Sequence, residues 1–86
     1  MKFTSTVFAP LPVSYGPVST HGPCKTLESA LIWARRESRK QSLINGLSYA
    51  VVRQFVPSAN NYQETATLYA DHGEITSETI HEFPML

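Results

Sequence analysis

Residues 26–46 read TLESALIWARRESRKQSLING, and this stretch decides the architecture. Leu27, Ala30, Leu31 and Ala34 fall at the i, i+3, i+4, i+7 spacing of one helical face. Thr26 is a good N-cap, because its hydroxyl accepts from a free N–H of the first turn. Glu28 then sits near the positive helix end and Lys40 near the negative end, and Asn45-Gly46 supplies the C-cap. The pattern predicts a helix over 26–43. The two alanines let it lie close on a sheet, and Trp33 at the edge of the apolar face reads as core. Ser38 and Gln41 continue that face and weaken it, so the second half is expected to overhang the core.

Outward from the helix, both flanks are β-rich. Residues 2–9 alternate Phe, Val and Thr and read as a strand. From Pro10 to Lys25 the chain holds four of its six prolines together with Gly16 and Gly22, which forbids a helix. That segment reads as a long loop, with room for a brief edge strand around Val13-Ser14-Tyr15, where proline is tolerated. After the helix, 47–56 is a strand with Leu47, Tyr49, Val51 and Phe55 on one face and Arg53 interrupting it. Ser58-Ala59-Asn60-Asn61 is turn chemistry, 62–70 a strand, Asp71-His72-Gly73 a tight turn, and 74–83 the last strand. The predicted fold is α+β, one helix packed on a small, mostly antiparallel sheet in the order β-loop-α-β-β-β, as a single domain over 1–86.

Composition narrows the function classes. At 42% hydrophobic and 16% charged, the chain has enough apolar content to fold and is not a disordered tail. Cys24 is the lone cysteine and cannot form an internal disulfide. Lys2 is followed by an alternating run rather than an apolar leader, and no apolar run approaches the roughly 20 residues of a membrane span. The expectation is a cytoplasmic protein with no membrane partner.

No motif that carries chemistry is intact. Gly22-Pro23-Cys24-Lys25-Thr26 precedes a helix, but Pro-Cys interrupts the contiguous Gly-Lys-Ser/Thr of a phosphate loop. Cys24 beside Lys25 has the setting of an activated thiol, yet no His-Asn or His-Asp pair is placed to serve it as a base. His21 and Cys24 form one tight ligand pair, with His72 and His81 as further candidates, where structural zinc sites show two tight pairs. The reading is therefore non-enzymatic, with no metal and no cofactor.

What remains is surface charge, and it is divided by sign. Residues 1–43 carry six of the seven Lys/Arg and two acids, while 44–86 carry five acids and Arg53. On the helical wheel Arg35, Arg36 and Arg39 surround Ile32, opposite the apolar face; arginines around an apolar anchor suit a contact patch. Glu74, Glu78 and Glu82 alternate along the last strand with Thr76 and Ile80. They are expected to stand on one side as a ladder, with alternate residues about 6.7 Å apart. With Asp71 they form the candidate docking ridge for a basic groove. Nearby Glu28 and Glu37 are expected to satisfy the arginines within the helix, so the acidic row is expected to matter most.

A short chain with one helix, a small sheet, no catalytic set and divided charge resembles the inhibitors that bacteriophages encode against host defences. The strand, loop, alanine-rich helix and meander, ending in Phe83-Pro84-Met85-Leu86, are similar in layout to anti-CRISPR proteins that act on type I surveillance complexes. The resemblance implies a non-catalytic inhibitor that occludes a nucleic-acid-binding surface of a host protein complex. Homo-oligomers are compatible with the low charge. The alternative is a nucleic-acid-associated accessory domain using the arginine-rich helix, although zero net charge argues against autonomous nucleic-acid binding.

Overall fold

Thr26 caps the helix as its chemistry dictates: its Oγ1 accepts from the Ser29 N–H at 3.1 Å. In this computed structural model, which describes residues 2–10 and 15–81, helix α1 runs Leu27–Asn45. Gly46, at φ 89°, closes it by donating its N–H to the Ser42 carbonyl. Five strands and a short 3-10 turn at Pro57–Ala59 make up the rest of the described elements: β1 Phe3–Pro10, β2 Tyr15–Cys24, β3 Leu47–Val56, β4 Asn61–Asp71 and β5 Glu74–Ile80. They form one antiparallel sheet in the order β2-β1-β3-β4-β5, with α1 on one face. This is the expected α+β architecture. Among the described residues no helix is long and apolar enough to cross a membrane.

The proline-rich segment differs from its reading as a loop. From Tyr15 to Cys24 it is an edge strand paired with β1, with two register shifts. An edge strand turns one row of N–H groups away from its neighbour, so Pro17 and Pro23 break no essential ladder there. Val13 and Ser14 lie outside the described residues, as do Glu82 and the tail from Phe83.

Small residues seat the helix. Ala30, Ala34, Ser38 and Ser42, spaced four apart, are all fully buried. Beneath them the sheet presents Ser5, Val7, Ser48, Ala50, Val52, Ala66 and Leu68, likewise buried. The second half of the helix therefore does not overhang, contrary to expectation. Serines pack as closely as alanines when their hydroxyls find partners. Ser5 Oγ donates to the Ala30 carbonyl at 2.8 Å and Ser48 Oγ to the Ser38 carbonyl at 2.6 Å. Ser42 Oγ accepts from the Gly73 N–H at 2.7 Å, pinning the helix end to the β4–β5 turn.

One hydroxyl in this seam has no partner among the described residues. Ser38 Oγ is buried without a hydrogen-bond partner among the described residues, while the Ser38 carbonyl would keep its Ser48 bond in any variant. Ser38→Ala removes an unsatisfied polar atom and improves helix propensity, so it should stabilise the fold by about 1 kcal/mol. The check is a thermal melt, in which the variant should rise by roughly 4–8 °C.

Candidate protein-interaction surface

The seat of small residues has a consequence on the other side of the sheet. In a strand, alternate side chains point to opposite faces. With Ser48, Ala50 and Val52 under the helix, Leu47, Tyr49, Val51, Arg53 and Phe55 of β3 point away from it. Among the described residues no second helix or strand covers that face. We call it the open face.

Cross-strand register arranges the open face in rows. Pro17, Phe8, Tyr49, Tyr69 and Ser77 lie opposite one another in sequence across all five strands. Within that row Phe8 and Tyr49 have ring centroids 5.7 Å apart and Tyr49 and Tyr69 4.8 Å apart. The adjoining row is Thr20, Thr6, Val51, Thr67 and Thr79. Beyond it Thr4, Arg53 and Glu64 are in register, followed by the tilted pair Phe55 and Tyr62 at 5.2 Å. On the far side of the aromatic row lie Leu47, Asp71 and Glu74. Tyr69 is 46% exposed and Leu47 44%. Burial raises the Tyr49 hydroxyl above the usual phenol range, with help from the Glu64 charge, so it stays protonated at neutral pH.

Among the described residues the expected acidic ladder is broken, with Glu74 and Glu78 on opposite faces, and a bulge is the reason. β5 pairs Glu78 with Leu68 and Ser77 with Tyr69, but Ile75 with Ala70 and Glu74 with Asp71, which leaves Thr76 as an extra residue. One extra residue reverses the side-chain alternation. Glu74 consequently faces the open side with Asp71, whereas Glu78 and Ile80 face the helix side with Leu68 and Ala66. Glu82 lies outside the described residues. Asp71 is on the open face and pairs with the His72 ring.

Nor is Glu78 an unpaired acid. Arg35 reaches across from the helix and holds it with both arms of its guanidinium, Nε to Oε1 at 2.7 Å and Nη2 to Oε2 at 2.9 Å. That fork fastens the edge strand to the helix. The hydrogen bond from Arg35 lowers the Glu78 carboxyl below its ordinary range against the opposing effect of burial, aided by the charges of Arg35 and Arg39. Since the folded value is depressed, the stabilisation is complete above the unfolded carboxylate pKa of about 4.3 and is lost as pH falls through the folded one. Comparing wild type with Glu78→Gln in urea should show a difference of roughly 0.5–1 kcal/mol at pH 7 and low salt, given the partial exposure of the pair. The difference should vanish in acid.

Ile32, Arg36 and Arg39 are exposed on the outer side of α1, as their wheel positions require. Their helix acids do not satisfy them: Glu37 accepts from Gln41, and among the described residues Arg36 and Arg39 join no ion pair. Leu43 and Ile44, which sequence reasoning left aside, extend the same side at 70% and 68% exposure.

The reactive candidates are scattered. Cys24 is buried in the core opposite Phe3, His21 stacks on Trp33 at 5.0 Å, and His72 stands in the β4–β5 turn. Among the described residues no three His, Cys, Asp or Glu side chains gather as a metal site. No family model, no curated protein and no solved structure matches the chain.

Proposed function

We propose that this chain is a non-catalytic protein-binding inhibitor whose open face covers a basic, nucleic-acid-binding surface of a partner. The observation that carries the reading is the aromatic row Phe8–Tyr49–Tyr69 bordered by the carboxylates Asp71 and Glu74. A surface evolved to hold nucleic acid offers arginines and lysines that stack on bases and pair with phosphates. Tyrosine faces beside carboxylates offer the same two interactions, cation–π contact and charge pairing. Tyrosine and arginine are also the side chains that dominate binding energy at interfaces. A sheet face is rigid before binding, so little ordering entropy opposes the contact.

The sequence resemblance in layout to anti-CRISPR proteins leads us to take as partner a multi-subunit type I surveillance complex in the host cytoplasm. The test is a mobility-shift titration of purified complex and target DNA with the protein added. DNA binding should disappear near one protein per complex; a complex that binds DNA unchanged contradicts the proposal. A second reading, a nucleic-acid accessory domain, draws on exposed Arg36, Arg39 and Lys40. Three phosphate contacts give a salt slope of only about −2.7 on a double-logarithmic plot. The same titration without the complex tests it, since submicromolar DNA binding would favour that reading.

A further inference from the structure

Among the described residues no further element covers either outer face of the two-layer fold, although Val51 at the centre of the open face is itself buried among its neighbours, and the two faces are opposite in character. The outer side of α1 carries the cations Arg36, Arg39 and Lys40 among the aliphatics Ile32, Leu43 and Ile44, which are 52%, 70% and 68% exposed. The open face carries Leu47 and the aromatic row, with Glu64, Asp71 and Glu74 against Arg53 and, at the edge beside Phe55, Lys2. We propose that these faces bind each other between copies, the outer helix of one chain seated on the open face of the next.

Charge selects this pairing over the symmetric ones. Helix against helix brings six cations together, and sheet against sheet gathers the carboxylates; helix against sheet sets cations on carboxylates. Dimensions agree. From Ile32 to Ile44 the helix runs about 18 Å, and a row crossing five strands spans about 19 Å. A bare sheet face is also a natural seat for a helix, which turns two layers into three. Because the two faces are on opposite sides of the molecule, the contact is head-to-tail and adds copies without closing a twofold dimer. Its strength rests on exposed charges, so it weakens with salt. This inference builds on the open face being a docking surface, and gives the free protein a way to keep that face covered until a partner displaces the neighbour.

Sedimentation velocity on the full chain tests it. At low salt the weight-average mass should climb with concentration, and at about 0.5 M salt it should return to the monomer as the Debye length shrinks to a few ångströms. Arg36→Glu with Arg39→Glu makes both faces acidic, and Glu64→Lys with Glu74→Lys makes the open face basic like the helix. These positions are exposed, and their side chains make no hydrogen bond among the described residues apart from any to Gln54 or Tyr49, so folding should be retained and circular dichroism verifies it. Each variant alone should stay monomeric, and an equimolar mixture should associate again, because every reversed face then meets its complement. A wild type that stays monomeric at low salt, a single variant that associates like wild type, or a mixture that stays monomeric would each overturn the inference. The helix variant keeps the open face intact and should still block DNA binding by the complex. Failure of self-association with inhibition preserved therefore removes this inference and leaves the proposed function standing.

Discussion

Gly22→Ala should cost the fold about 3 kcal/mol, the largest stability effect expected of any single small substitution outside the core. Gly22 sits at φ 131°, where a side chain is strained. A methyl group there would lie 2.8 Å from the Phe3 carbonyl oxygen and 3.1 Å from the Thr4 Cα, both backbone atoms of the paired strand. Backbone cannot swing aside as the tip of a long side chain can, so either the β1–β2 ladder opens or β1 shifts under the helix. Strain of about 1–3 kcal/mol and overpacking of similar size both contribute, against a total stability of about 5–15 kcal/mol for a domain. Urea denaturation reads the loss. Hydrogen exchange then distinguishes the two responses: faster exchange confined to residues 15–24 means that β2 detaches, and faster exchange throughout means that the core has moved. A variant as stable as wild type would contradict the β1–β2 register.

Tyr49→Thr combined with Tyr69→Thr should abolish the proposed inhibition, at a cost of about 1–3 kcal/mol in stability from the lost ring contacts, while the chain still folds. Threonine retains the β-branched preference of a strand and already fills the adjoining row at Thr6, Thr20, Thr67 and Thr79. The double variant loses two adjacent rings, Tyr69 nearly half exposed and Tyr49 supporting it at 4.8 Å, together with the Tyr49 contact to Phe8 at 5.7 Å. Hot-spot aromatic residues are worth about 2 kcal/mol or more each, so affinity for the partner should fall by roughly 100-fold or more. Reversing Arg36 and Arg39, on the opposite side of the molecule, should change that affinity far less. Competition titration against target DNA measures both.

The helix was legible because its signals are local. Thr26, the apolar spacing and Gly46 act within a few residues of one another, and the tertiary structure agrees with them. The meander was legible for the same reason, through the Asp71-His72-Gly73 turn. Edge strand β2 was not, because proline lowers β-propensity everywhere except at an edge, and edge position is a property of the whole sheet. The acidic ladder failed on a single residue. Thr76 becomes a bulge only through pairing with β4, and that one insertion sends Glu74 and Glu78 to opposite faces. The aromatic row was half visible: Tyr49 shares parity with Val51 and Phe55 within one strand, but its alignment with Phe8 and Tyr69 depends on long-range register. Ala30 and Ala34 already pointed to a close helix seat, but Ser38 read as weakening that face where Ser38 and Ser42 in fact extend the repeat. Small residues every fourth position announce a close helix seat, and a close seat leaves the large side chains of the sheet facing the other way.

Methyl-labelled NMR of the protein bound to a purified type I surveillance complex tests the central claim most directly, at a dilution where the free chain is monomeric. Methyl signals of Thr6, Val51, Thr67 and Thr79 should shift or broaden on binding, and those of Ile32, Leu43 and Ile44 should keep their free positions. Perturbation of the helix methyls with an undisturbed threonine row would show that the open face is not the contact surface.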